Sequence, residues 1–208
     1  GHDRAQLCNM SLQAKEAINC NVLTVVADRG YFNGEEILAC EEASITAYVP
    51  KTQTSNNQAR GLFGRRDFIY RADDNEYECP AGERLIYRFT TQDKGKTVHR
   101  YWSSACPRCR LKKQCTTAVY RRVKRWEHEA VMEAMEDRVD RMPDCMRIRG
   151  STVEHPFGTI KSWMGPTHFL MRRLEHVSTE MSLHVLSYNL KRMLQIMGVG
   201  PLIAAIRG

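Results

Sequence analysis

Apolar residues recur at roughly helical spacing from Met10 to Ile18, where Met10, Leu12, Ala14, Ala17 and Ile18 predict an amphipathic helix. The period then changes. Val22-Leu23-Thr24-Val25-Val26 is a β-branched apolar run of strand length, of the kind buried on both faces at the centre of a sheet. Asn33-Gly34-Glu35-Glu36 sets an N-cap residue ahead of a Glu at capping-box spacing and predicts a helix through Glu42. Ser44 to Val49 predicts a second short strand, stopped by Pro50. Strand, helix and strand in that order predict an α/β unit.

Beyond this the pattern loosens. Lys51 to Gly64 is rich in Gln, Asn and Thr and predicts a loop. Between Asp67 and Tyr120, short strand-like pieces (Phe68-Ile69-Tyr70, Leu85 to Phe89, Val98 to Trp102) alternate with turn residues and cysteines, which predicts a small β-rich insertion. Glu127 to Met142 has helical composition, and Thr152 to Trp163 predicts a helix with Pro156 in its first turn. Ser178 to Met197 predicts a long amphipathic helix stopped at Gly198. Its apolar positions, among them Leu183, Leu186 and Leu190, are expected to pack over the sheet, a dimer contact being the lesser alternative. The expected parts are therefore 1–50, the start of an α/β core; 51–125, the insertion; and 126–208, the C-terminal helices.

Composition narrows the class. A chain of 208 residues, 42% hydrophobic and 26% charged, can bury a real core and matches ordinary soluble domains. No apolar run approaches the roughly 20 residues of a membrane span, and the start has no secretory signal, so a cytoplasmic location is expected. The first residue is not Met, which suggests a chain that begins inside a longer protein. The net charge of +7 implies an acidic partner. From Arg84 to Arg125 there are thirteen cations and one acid, Asp93, and a solvated face would mix the signs more evenly. Phosphate contact is the favoured reading.

Two acids stand out by their setting. Asp28 lies just beyond an apolar strand, where the carboxyl ends of strands in open α/β sheets form ligand crevices, and a carboxylate there suits Mg²⁺. A turn-capping Asp is the alternative. Glu154 falls among Arg147, Arg149 and Lys161, and on a helix Glu154 and Lys161 would share one face. Such a carboxylate could hold Mg²⁺ while its neighbours hold phosphate; a surface ion-pair network is the alternative.

The cysteines form two groups. Cys8, Cys20 and Cys40 sit singly among helical or apolar residues and are expected to be buried, inert thiols. Cys106-Pro107-Arg108-Cys109 is a C-x2-C pair followed by Cys115, and Cys79 opens Cys79-Pro80-Ala81-Gly82 at the edge of the same insertion. Four thiolates suit tetrahedral Zn²⁺ at about 2.3 Å, in a closed structural site that would hold together a segment poor in apolar surface. Four free thiols are the alternative, with His99 a substitute ligand. Trp102 and Trp126 could stack on bases, although a lone Trp is more often core, and His128, His168, His176 and His184 are read as structural.

Several blocks resemble insertion-sequence transposases of the DDE class. Ala27-Asp28-Arg29-Gly30-Tyr31-Phe32 and Val153-Glu154-His155-Pro156-Phe157-Gly158-Thr159-Ile160-Lys161 are similar to that family's second-Asp and Glu motifs. Val49-Pro50-Lys51, Cys79-Pro80-Ala81-Gly82, Trp163-Met164-Gly165, His168-Phe169-Leu170, Glu180-Met181-Ser182-Leu183 and Tyr188-Asn189-Leu190-Lys191-Arg192 continue the resemblance in order.

The resemblance implies a partial RNase H-like fold whose carboxylates hold two divalent metals, Mg²⁺ or Mn²⁺, for in-line phosphoryl displacement. By the same resemblance Asp28 and Glu154 are catalytic metal ligands, and Arg149 and Lys161 contact transposon-end DNA beside Arg147. The partners implied are transposon-end and target DNA, with a homodimer in synapsis, in the bacterial cytoplasm at the nucleoid. Met146 stands where many relatives carry Tyr. The family's first Asp is expected on strands upstream of Gly1, so these residues are expected to be inactive alone. Two other readings remain at this point: a noncatalytic, zinc-stabilised DNA-binding remnant, and a nuclease of the same fold with no joining step.

Overall fold

The structure is a computed structural model that describes residues 3–51, 57–163 and 168–207. Residues 52–56 of the expected loop, and Met164 and Gly165 of the quoted blocks, lie outside the described residues. The chain divides into two compact units, residues 1–143 and 144–208.

The first unit begins with α1 (Leu7–Ala17), β1 (Leu23–Val26), α2 (Gly34–Glu42) and β2 (Ile45–Tyr48). The two strands pair in parallel, Leu23 opposite Ile45 and Val26 opposite Tyr48, with α2 as the crossover that parallel pairing requires. A second sheet follows: β3 (Ile69–Arg71), β4 (Glu76–Glu78), β5 (Arg84–Asp93), β6 (Lys96–Trp102) and β7 (Val123–Trp126), five antiparallel strands in chain order. Lys94 and Gly95 turn the β5–β6 hairpin, both with positive φ (54° and 79°), the combination that matches the twist of a tight hairpin. The short α3 (Lys112–Cys115) lies between β6 and β7, and α4 (Glu129–Arg141) closes the unit.

Two cores result. Leu7, Ile37, Cys40, Ile45, Val49, Met132 and Met135 bring α1, α2, β2 and α4 together around the parallel pair. Phe68, Tyr77, Leu85, Tyr101 and Val123 form the second core on the antiparallel sheet. Tyr101 is fully buried there, and its hydroxyl donates to Asn75 Oδ1 at 2.7 Å, which satisfies the one polar atom burial would strand. Gly34 lets Trp126 approach the start of α2, since a Cβ there would stand 3.0 Å from the indole.

The second unit is helical: α5 (Cys145–Arg149), one π turn (Gly150–Glu154), α6 (His155–Trp163), α7 (Leu174–Met197) and α8 (Val199–Arg207). α6 packs on α7, and α7 on α8. No helix among the described residues is long and apolar enough to cross a membrane.

Three expectations are corrected. β1 is not buried on both faces: Thr24 is exposed and the other three residues are half-buried, because among the described residues β1 pairs with β2 alone. The cap at Asn33 forms, its side chain accepting from Glu35 N–H at 3.1 Å, but Glu36 does not close a capping box; its carboxylate accepts the Cys8 N–H at 2.9 Å and ties α2 to α1. α7 buries none of its residues, and Leu183, Leu186 and Leu190 are exposed. His184 stands one helical turn from Glu180, with 3.8 Å between them.

Candidate active site

Asp28 sits at the carboxyl end of β1, one residue beyond the buried Ala27 whose N–H extends the parallel ladder to the Tyr48 carbonyl. Its backbone is extended and its Oδ1 accepts the Gly30 N–H at 2.7 Å, capping the 3₁₀ turn Arg29–Tyr31. Gly30 is needed for this closeness. A Cβ there would stand 2.9 Å from Oδ1, inside any normal contact. The glycine two places after the acid thus lets the carboxylate lie down over its own turn.

Glu154 ends the π turn, with helix on both sides. Pro156 accounts for the widening: it has no N–H to donate to the Thr152 carbonyl, and its ring would collide with that carbonyl in a regular α-helix. Helix was expected to begin at Thr152, with Pro156 in its first turn. Instead helical backbone begins at Cys145 and passes Pro156 through the π turn. Ser151 and Thr152 both donate hydroxyl hydrogen bonds to the Ile148 carbonyl, at 2.9 and 2.7 Å, a back-bonding that loosens α geometry. Single π turns inside helices recur at functional sites.

The side chain of Glu154 is 71% exposed, and Arg149 Nη1 donates to its Oε1 at 3.1 Å from a well-shielded position. Arg147 pairs with Asp144 at 3.2 Å, and Lys161 is exposed on α6. Glu154 therefore belongs to the second unit and Asp28 to the first.

Two features of the second unit lay beyond the reading of single residues. His155, Thr159, Tyr188, Lys191 and Arg192 line an open groove of about 210 Å³ between α6 and α7. Glu180 accepts the N–H groups of Leu170 and Met171, each at 2.9 Å, and these amides hold its carboxyl below the usual carboxylate range. It thereby fixes the segment after residue 167 to α7. The Tyr188 to Arg192 and Glu180 blocks were visible in the sequence as a resemblance, but their pairing across space was not.

A family model described as a transposase DDE domain matches residues 78–194, more than half of the chain. The chain belongs to this transposase family. No curated protein and no solved structure shows a significant match. The matched span of the transposase contains Cys79, Cys106, Cys109, Cys115, Arg147, Arg149, Glu154 and Lys161, while Asp28 precedes it.

In this transposase the basic stretch from Arg84 to Arg125 is partly spent inside the fold. Arg84 pairs with Asp74 and Glu76, Lys96 with Glu35, Arg100 and Lys124 with Asp93, and Arg125 with Glu133. Most of these acids lie outside the stretch, which is why the local count overstated the free positive charge. Arg108, Arg110 and Lys113 remain exposed near the cysteines, and Arg88 and Arg122 both lie over the Trp102 ring, at 5.2 and 5.5 Å from its centre. Trp126 instead packs beside the first core, under Lys96.

The transposase's Cys40 and Cys145 are buried; Cys8 and Cys20 are half-buried rather than fully so. The other four thiols, also half-buried, line a single small cavity. Among the described residues no three His, Cys, Asp or Glu side chains stand ready-placed to hold a metal ion.

Proposed function

We propose that this chain belongs to an insertion-sequence enzyme that cuts DNA at the element's ends and joins them to a target, with Asp28 and Glu154 as metal-holding carboxylates. The observation that carries this reading is the π turn ending at Glu154, inside the matched family span. It puts an exposed carboxylate beside a shielded arginine, on a helix that also carries His155 and Lys161.

The donor types fit a hard divalent cation: both groups are carboxylates, Asp28 half-buried at the end of β1 and Glu154 exposed within the helical run. Mg²⁺ or Mn²⁺, when bound, supplies Lewis-acid stabilisation of the attacking and leaving oxygens of a phosphodiester. The chain's own residues do the rest. Gly30 N–H fixes the rotamer of Asp28, and Arg149 holds Glu154 until a stronger cation competes for it. Arg147, Arg149 and Lys161, with Lys191 and Arg192 of the neighbouring groove, supply phosphate contacts for transposon-end and target DNA. In this reading residues 1–50 and 126–208 belong to an RNase H-like core interrupted by the insertion 51–125. The enzyme works in the bacterial cytoplasm on the nucleoid, as a homodimer when two ends are paired.

Mn²⁺ affinity, read from the free-ion electron paramagnetic resonance signal, tests the reading because it reports the carboxylates directly. Asp28→Asn and Glu154→Gln should each weaken Mn²⁺ binding at least about tenfold while leaving the melting temperature nearly unchanged. Affinity unaltered in both variants would overturn the assignment.

A further inference from the structure

The antiparallel sheet gathers four cysteines that are scattered over 79–115 in sequence. Cys79 leaves β4 into a tight turn in which Gly82 N–H donates to its carbonyl at 2.8 Å, with Gly82 at positive φ (77°). Cys106 and Cys109 open and close a second tight turn, with the Cys109 N–H on the Cys106 carbonyl at 3.2 Å and Pro107 stiffening it. Cys115 ends α3. All four are free thiols, and all four line one cavity of about 30 Å³. Cys79 and Cys115 pack against the buried core of Phe68, Tyr77, Leu85, Tyr101 and Val123, so the cavity adjoins the base of the sheet.

We propose that Cys79, Cys106, Cys109 and Cys115 bind a single Zn²⁺ ion in a closed structural site. The donor set decides the kind of metal: four sulfurs favour a soft or borderline ion, and a fully protein-ligated tetrahedron leaves no position for substrate. The size suits a single ion, since about 30 Å³ is the room of a water molecule or two.

The electrostatics agree. Arg121 lines the cavity together with the four thiols. Four thiolates this close repel one another, and a divalent cation turns that repulsion into attraction. Arg121 also donates to the carbonyls of Cys115 and Phe63, at 3.4 Å each, and Lys112 lines the cavity, so positive charge already surrounds a centre that would carry net negative charge with four thiolates. The thiols surround the space but are not yet in coordinating positions, so the ion itself would draw them to about 2.3 Å. Around such a knuckle Arg108, Arg110 and Lys113 would be held as an exposed basic rim. This inference does not depend on the carboxylate assignment.

The full chain purified without added metal should contain about one zinc per molecule by mass spectrometry. After removal with a chelator, Co²⁺ should restore the intense thiolate-to-cobalt absorption of a tetrahedral sulfur site, and Zn²⁺ should displace it. Cys106→Ser and Cys79→Ser should each lose bound zinc, whereas Cys20→Ser should keep it. Zinc-free protein that gives no cobalt–thiolate band overturns the proposal. So does zinc that persists through both variants, or recovery of a Cys106–Cys109 disulfide under reducing purification. Mn²⁺ binding at Asp28 and Glu154 is a separate readout and can fail or succeed independently.

Discussion

Arg125 and Glu133 join the last strand of the antiparallel sheet to α4 through two parallel hydrogen bonds, Nη1 to Oε1 at 2.5 Å and Nη2 to Oε2 at 2.8 Å. The arginine is buried, stacks 3.7 Å from the centre of the Tyr70 ring, and also donates to the Tyr77 hydroxyl at 3.2 Å. Burial alone would lower its pKa, but the bonds to Glu133 and Tyr77 outweigh this, and the guanidinium is held charged. The pair therefore fastens one core of the first unit to the other.

Arg125→Ala should destabilise the chain by about 2–3 kcal/mol, the worth of hydrogen bonds to a charged group that burial keeps from water. The estimate stays below the value for a fully buried pair because Glu133 is 43% exposed and can rehydrate. Arg125→Lys should recover only part, since an ammonium can neither fork to the carboxylate nor stack on Tyr70 in the same way. Urea unfolding measures both, and a loss under about 0.5 kcal/mol for the alanine variant would rule out the fastening role.

Gly30→Ala should disturb the site more than the fold. The added methyl would meet Asp28 Oδ1 at 2.9 Å, so the carboxylate must rotate away from its turn. Mn²⁺ affinity should fall several-fold with little change in melting temperature. A variant with wild-type affinity would mean that the carboxylate position set by Gly30 is irrelevant to metal binding.

Cys40 makes alkaline pH a probe of the first core. Burial, followed by the neighbouring Cys8 and Glu36, pushes its thiol from an ordinary 9.0 up to about 12. Between those values the unfolded chain releases a proton that the folded chain retains, so unfolding gains free energy as pH rises. The contribution is fully present below about pH 9 and is lost progressively toward pH 12. Stability measured across that window should fall less steeply in Cys40→Ala than in the parent. Parallel slopes would show that Cys40 titrates normally.

Lys161→Ala should weaken binding to duplex DNA and lower the slope of log K against log salt by about 0.9, the share of one phosphate contact. Arg84→Ala, whose cation is already taken by Asp74 and Glu76, should leave that slope unchanged. Fluorescence anisotropy titrations across a salt series separate the two. Equal losses would mean that the ion pairs at Arg84 open on binding.

Local chemistry was legible wherever the cause is local. The helix cap at Asn33, the hairpin strands β5 and β6, and the stop at Gly198 follow from side-chain hydrogen bonding, period and a left-handed glycine, and each forms near its expected place. The two acids could be singled out because Asp28 follows an apolar strand and Glu154 falls among Arg147, Arg149 and Lys161. The burial of β1 and α7 was not legible: an apolar run reports what a segment can bury, not whether a partner covers it, and Thr24 and Leu186 stay exposed.

Sequence by itself determined the transposase family, the strand–helix–strand unit and the candidates Asp28, Glu154 and the four cysteines, because these depend on residue type and spacing along the chain. Only the tertiary structure decided that Glu36 ties α2 to α1, that Arg84, Lys96 and Arg125 of the basic stretch pair with acids outside it, and that Cys79 meets Cys106, Cys109 and Cys115 around one cavity. Those facts depend on which segments the sheet and helices bring together. Long-range pairing is set by the summed burial of both cores, which no single stretch of the chain encodes.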